Sequence, residues 1–182
     1  DSYYTQIKQI DNLLADTTSG LTPALHNFFK AAHDVASNPS SVPSRQSLLS
    51  NAEALVARFQ SMDQRLSEIR EGINSQITST VDEVNSLARE IATLNINIQD
   101  VEGLALGQPV NDMLDQRDTL VRQLSELVNA TVVRQDNGHH NIFIGNGQGL
   151  VVGAQAMALK AVPSPEKPKK ITIALDTGNN TI

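Results

Sequence analysis

Cysteine and tryptophan are both missing from this 182-residue chain. The lack of cysteine excludes disulfides, thiolate metal sites and thiol nucleophiles together. Aromatic residues are scarce, limited to Tyr3, Tyr4, Phe28, Phe29, Phe59 and Phe143. Positive charge is also in short supply: 14 Lys and Arg stand against 20 Asp and Glu, a formal net charge of -6. An acidic chain of this kind lacks the basic face that nucleic-acid binding requires, and an anionic membrane surface would repel it. No apolar run approaches the roughly 18–20 residues of a membrane span. The opening residues Asp1 to Gln6 lack the basic start and apolar run of a signal peptide. A start without methionine and an end at Ile182 inside a strand-like run read as boundaries cut from a longer protein.

What the chain does have is length enough for one substantial core or two small ones. It is also rich in Ala, Ser, Asn, Gln and Leu, a composition suited to helices that pack side by side. Ile7, Ile10, Leu13 and Leu14 recur at helical spacing and end at Thr17-Thr18-Ser19-Gly20. Leu25, Phe28, Phe29, Ala32, Val35 and Ala36 predict a second helix, with Pro23 in its first turn and Asn38-Pro39 closing it. A third segment carries Leu48, Ala52, Leu55, Phe59, Met62, Leu66, Ile69 and Ile73 in alternating steps of four and three, a coiled-coil-like seam. It continues through Ile77, Val81, Val84, Leu87, Ile91, Leu94, Ile98 and Val101, with successive steps of four between Ile69 and Val81 that locally unwind a supercoil. Gly72 falls in that interval, where glycine's cost of about 1 kcal/mol in a helix interior leaves two readings open, a bend or short break there or one unbroken helix.

Gly103, Gly107 and Pro109 mark a loop, after which Asn111 or Asp112 is expected to cap a helix carrying Leu114, Val121, Leu124 and Leu127, with Asp118 and Arg122 as an exposed ion pair. The period then changes. Thr131 to Gln135 and Asn141 to Ile144 flank Asp136-Asn137-Gly138, the pattern of two antiparallel strands around a tight turn. Further strands are expected at 150–152, 158–162 and 171–175. The resulting fold class is mainly α with a β-rich C-terminal part: an elongated antiparallel helical bundle with one very long coiled-coil-like helix, followed by β-hairpins. The expected domains are a helical bundle over 1–130, an attached β-hairpin region over 131–162, a Pro-rich linker over 163–170 and the start of a truncated outer β-rich domain over 171–182.

Several clusters invite a chemical reading and yield to a plainer one. His26 and His33 share a helix face but lack an acidic third ligand, so packing or surface roles are favoured over metal binding. His139 and His140 follow a turn and read as loop residues. Gly145-Asn146-Gly147-Gln148-Gly149 follows a strand, yet no Lys-Ser or Lys-Thr closes it and a strand follows, so a turn is expected instead of a phosphate cradle. Asp112, Asp115 and Asp118 suit the positive end of a helix dipole better than acid/base work. Lys160, Lys167, Lys169 and Lys170 lie in a proline-rich stretch without aromatics and read as solvated. No catalytic, cofactor-binding or metal-ligating residue is expected. Part of the long seam must pack within the chain, and its excess length implies apolar surface awaiting other segments or subunits.

Leu114-Asp115-Gln116-Arg117-Asp118-Thr119-Leu120-Val121, followed by Gln123-Leu124-Ser125-Glu126-Leu127-Val128, closely resembles the signature of the flagellar hook-associated protein 1 family. Val132-Val133, Asn141 to Gly147 and Leu150-Val151 continue the likeness, as do Gly20-Leu21, Phe28-Phe29, Asn38-Pro39 and Arg45-Gln46. It covers about residues 1–160 and weakens beyond Pro163. The resemblance implies a structural, non-enzymatic component of the bacterial flagellum at the junction of hook and filament, without cofactors. It further implies export through the flagellum's own channel to the outside of the cell. The partners it implies are the flagellar hook protein, hook-associated protein 3, copies of the chain itself, and the export apparatus with its chaperone, but no nucleic acid and no membrane. The alternatives are a flagellin-like or other axial protein, a secreted coiled-coil adhesin or effector, and, least favoured, an enzyme.

Overall fold

The computed structural model describes Tyr4, Lys8, residues 20–103 and residues 110–176. The helix expected around Ile7 to Leu14 and the loop at Gly107 and Pro109 lie outside the described residues. Among those described, helix α1 spans Leu21–Ser37, α2 Val42–Gly103 and α3 Asn111–Leu127. Strands β1 (Ala130–Arg134), β2 (His140–Ile144), β3 (Gln148–Val152), β4 (Gln155–Ala156), β5 (Leu159–Pro163) and β6 (Ile171–Leu175) follow. The fold class read from the sequence is the one observed, mainly helical with one long helix and antiparallel strands after it.

The chain divides into two compact units, Asp1–Ile73 and Asn74–Ile182. In the first, α1 begins after Gly20 without a side-chain cap and stops at Asn38, whose backbone N–H returns to Asp34 O at 3.1 Å. The α2 start is chemically prepared: Ser41 Oγ accepts the Ser44 N–H at 3.3 Å, and Pro43 occupies the first turn, where its missing N–H costs nothing. The helix is unbroken at Gly72, where an added Cβ would meet nothing within 4 Å. The single very long helix read from the sequence therefore forms without a break, because one glycine costs less than the hydrogen bonds that flanking helical turns supply.

The second unit holds the core. Val81, Val84, Leu87, Ala88, Ile91, Ala92, Leu94 and Ile98 of α2 are buried together with Leu120 and Leu124 of α3 and with Ile142, Leu150, Val151 and Leu159 of the strands. Each large member contributes about 1.5–3 kcal/mol by leaving water. Strands β1 to β4 form an antiparallel sheet in chain order, and β5 pairs with β6 in a separate antiparallel ribbon, Leu159 opposite Leu175 and Pro163 opposite Ile171. The stretch anticipated as a linker thus connects two paired strands, with Ser164 N donating to Lys170 O at 2.7 Å. The Asp-Asn-Gly turn joins β1 to β2 as its residues dictate, with Gly138 at φ 81. On α3 the cap position is Val110 without a side-chain cap bond, not Asn111 or Asp112, which lie inside the first turn.

Candidate functional site

Three asparagines on the C-terminal part of α2, Asn74, Asn85 and Asn95, stand eleven and ten residues apart, about three helical turns each. Each follows an apolar seam residue, Ile73, Val84 or Leu94, so all three ride the edge of the buried stripe. A carboxamide carries a donor and an acceptor arranged like a peptide group, and here each one grips strand backbone. Asn85 Nδ2 donates to Leu159 O at 2.9 Å while its Oδ1 accepts Leu159 N–H at 2.8 Å. Asn74 Nδ2 donates to Lys169 O at 3.0 Å and its Oδ1 accepts Ile171 N–H at 3.3 Å. Asn95, with no exposed surface, donates to His140 O at 3.0 Å and Gly153 O at 2.8 Å. Its Oδ1 accepts His140 N–H at 3.2 Å and Arg117 Nη1 at 3.0 Å, which fills both donors and both lone pairs.

Arg117 is the second member of this node. It projects from α3 into the interior, 3% exposed, and its Nη1 also donates to Gly138 O at 2.8 Å in the β1–β2 turn. Its Nη2 lies 3.3 Å from His140 Nε2, so that ring nitrogen accepts and the neutral imidazole carries its proton on Nδ1. Nδ1 has no hydrogen-bond partner among the described residues, and the Asp118 carboxylate stands 3.9 Å away. Burial lowers the His140 pKa, and the neighbouring guanidiniums of Arg117 and Arg134 lower it further against the opposing pull of Asp118. Burial lowers the Arg117 pKa as well, which marks how much solvation the guanidinium has given up. Alongside, His139 Nε2 lies 2.9 Å from Gln99 Oε1, and Asn141 Oδ1 accepts Gly153 N–H at 2.7 Å. The Arg117 Nη groups meet neutral acceptors while its buried Nε has no partner among the described residues, so losing any of those acceptors costs stability and the node rewards one arrangement of α2, α3 and the β1–β2 turn.

The clusters singled out from sequence fall into place around this node or away from it. His139 lies in the connection before β2, as read from the sequence, whereas His140 opens β2 and is no loop residue; both are buried, because the turn is short and folds back onto α2 and α3. His26 and His33 are exposed on α1. Asp118 faces His140, and Arg122 donates to Thr119 Oγ1 at 3.2 Å instead of pairing with Asp118. Gly145 and Gly147 form the turn between β2 and β3 with φ of 55 and 93. Lys160 pairs with Asp176 at 2.7 Å. Among the described residues no group of His, Asp and Glu could hold a metal ion. An open hollow of about 300 Å³ between the β2–β3 turn and the β5–β6 ribbon is lined by Ile144, Leu159, Ile173 and Leu175 and by no titratable side chain.

The first unit offers a different kind of surface. Ala31 is its one buried apolar side chain among the described residues, while Phe29, Val42, Leu49, Val56 and Phe59 are about half exposed or more. Val42, Leu49 and Val56 repeat every seven residues, with Ala52 and Phe59 at the intervening heptad spacing, so one face of α2 presents a stripe of coiled-coil form.

Residues 7–182 match the family described as the flagellar hook-associated protein FlgK helical domain. The chain is 41% identical over 171 residues to flagellar hook-associated protein 1 of Salmonella typhimurium, covering 94% of this chain and 31% of that protein. It is 38% identical over 175 residues to the Escherichia coli protein of the same name, covering 96% and 32%. Among solved structures, the flagellar hook junction protein FlgK from Burkholderia pseudomallei matches with a TM-score of 0.86 at 36% identity, over 98% of this chain and 31% of that one. The chain therefore spans about a third of the length of the relatives it matches.

Proposed function

The chain belongs to the flagellar hook-associated protein FlgK family, and from that premise we propose that it works without catalysis as a structural part of the bacterial flagellum, at the junction between hook and filament. The observation that carries the reading is the heptad stripe of Val42, Leu49, Val56 and Phe59, left open to solvent on the first unit. Apolar stripes of this form are covered when another helix packs against them. Its cover comes from other parts of the same protein and from neighbouring copies, with the flagellar hook protein on one side and hook-associated protein 3 on the other. Export through the flagellar channel, with its chaperone, delivers the chain outside the cell. Among the described residues no helix is long and apolar enough to cross a membrane.

The same reading takes residues 1–130 as the helical bundle, 131–162 as the attached β-hairpin region, 163–170 as the link and 171–182 as the entry to an outer β-rich domain. The Asn74 bonds to Lys169 and Ile171 tie that entry back to α2. Cosedimentation of the full-length protein with purified hooks tests the assignment. Binding that is lost in a Val56→Asp, Phe59→Asp double variant of unchanged helicity supports it, and hook binding unaffected by that variant counts against the stripe as the contact.

A further inference from the structure

Two Asn-Gly pairs sit at tight turns, Asn137-Gly138 between β1 and β2 and Asn146-Gly147 between β2 and β3. Asparagine before glycine is the pair most prone to self-modification, because glycine places no Cβ in the way of its own nitrogen attacking the preceding carboxamide. The two pairs form a matched comparison. Both asparagines are exposed, both glycines have positive φ, 81 and 93, and both glycine nitrogens donate to the carbonyl three residues back, Gln135 O at 2.9 Å and Ile144 O at 3.2 Å.

They differ at the carboxamide. Asn137 Oδ1 accepts the His139 backbone N–H at 3.2 Å, closing a ring that contains both its Cγ and the Gly138 nitrogen. A backbone N–H on a carbonyl oxygen stabilises the negative charge that builds there when a nucleophile adds to the carbon, as an oxyanion hole does. No hydrogen bond reaches the Asn137 Nδ2, the leaving group, among the described residues, and the Asn146 carboxamide has no such polarising donor among them either.

We infer that Asn137 is a built-in deamidation site of this protein, modified ahead of Asn146. The Gly138 nitrogen gives its proton to solvent base and forms a bond to Asn137 Cγ. The Cγ–Nδ2 bond breaks, and the nitrogen leaves as ammonia after taking up a proton. One water then opens the cyclic imide at either carbonyl, leaving an aspartyl or isoaspartyl residue at position 137, so that asparagine and water become acid and ammonia with no redox change. The isoaspartyl product lengthens the main chain by one carbon immediately before Gly138, whose carbonyl receives Arg117 Nη1 at 2.8 Å. Modification at this exposed turn therefore reports into the buried node.

The test is incubation of the purified protein in mildly alkaline buffer for weeks, with peptide mass spectrometry and isoaspartyl methyl-acceptance read at both sites. In the folded protein Asn137 converts several-fold faster than Asn146, and in denaturant, where the sequence Asn-Gly is common to both, the ratio falls toward one. Equal rates in the folded protein, a faster Asn146, or a preference for Asn137 that persists unchanged in denaturant would each overturn the inference.

Discussion

Along α2 one apolar repeat runs through two environments. From Leu48 to Ile73 its members are half buried, with Phe59 48% exposed, whereas from Val81 to Ile98 every member is buried. The residue types are alike on both sides, so periodicity alone does not decide which stretch is covered. What differs is the company: past Asn74, asparagine clamps and an arginine bring α3 and the strands onto the helix, and before Ile73 no such polar fixtures occur among the described residues. A stripe fixed within the chain comes with satisfied polar groups at its edges. The open stripe of the first unit carries apolar side chains and solvated charges instead.

The comparison breaks most sharply at the node. Asn95→Ala strips partners from Arg117, His140 and Gly153 at once and is expected to cost about 3–5 kcal/mol in urea unfolding followed by circular dichroism. A loss below about 1 kcal/mol would show that the node fixes nothing. Next, Leu124→Ala in the core should cost about 2–5 kcal/mol, while Phe59→Ala on the open stripe should stay within about 0.5 kcal/mol. Equal losses would erase the distinction between the two regions. Gly72→Ala meets no steric obstacle and should stabilise by up to about 1 kcal/mol through helix propensity; destabilisation would show that α2 needs glycine's freedom there.

The smallest effect is electrostatic. Because the folded pKa of His140 lies below its ordinary value, the unfolded chain binds the proton more readily. The contribution is complete above about pH 6.5 and fades as pH falls through the lower folded value. Unfolding midpoints measured across that window should drop on acidification, and His140→Gln should flatten the slope. A slope unchanged in that variant would place the titration elsewhere.

Much of this architecture is legible in the residues. The heptad seam, the Asn38-Pro39 stop and the Asp-Asn-Gly turn each carry a local mechanism, so α1, α2 and the β1–β2 hairpin follow from sequence alone. The node does not. Arg117 stands in the sequence as one more charge on an amphipathic helix, and His140 reads as loop, because nothing local states that a buried carboxamide waits opposite. A mid-helix asparagine reads merely as a weak helix former. Only its recurrence after Ile73, Val84 and Leu94 hints otherwise, and that hint needs the strands to be in place before it means anything. Uncovered apolar surface on the long helix is expected from the sequence, but its place at Val42, Leu49 and Val56 is not, and for the same reason: which face of a stripe is covered depends on elements far away in the chain.

The carboxamide grips also set how the β segments respond to force. Apolar surfaces slide over one another with little change in energy until a rim is reached, but a strand held through its own N–H and C=O has a single tooth-to-tooth fit. Slipping Leu159 by one residue against Asn85 would sever both bonds and turn every following side chain to the opposite face. Pulled along its strands, this part of the molecule would hold firm and then yield abruptly, behaving as a ratchet stop and not as a lubricated bearing.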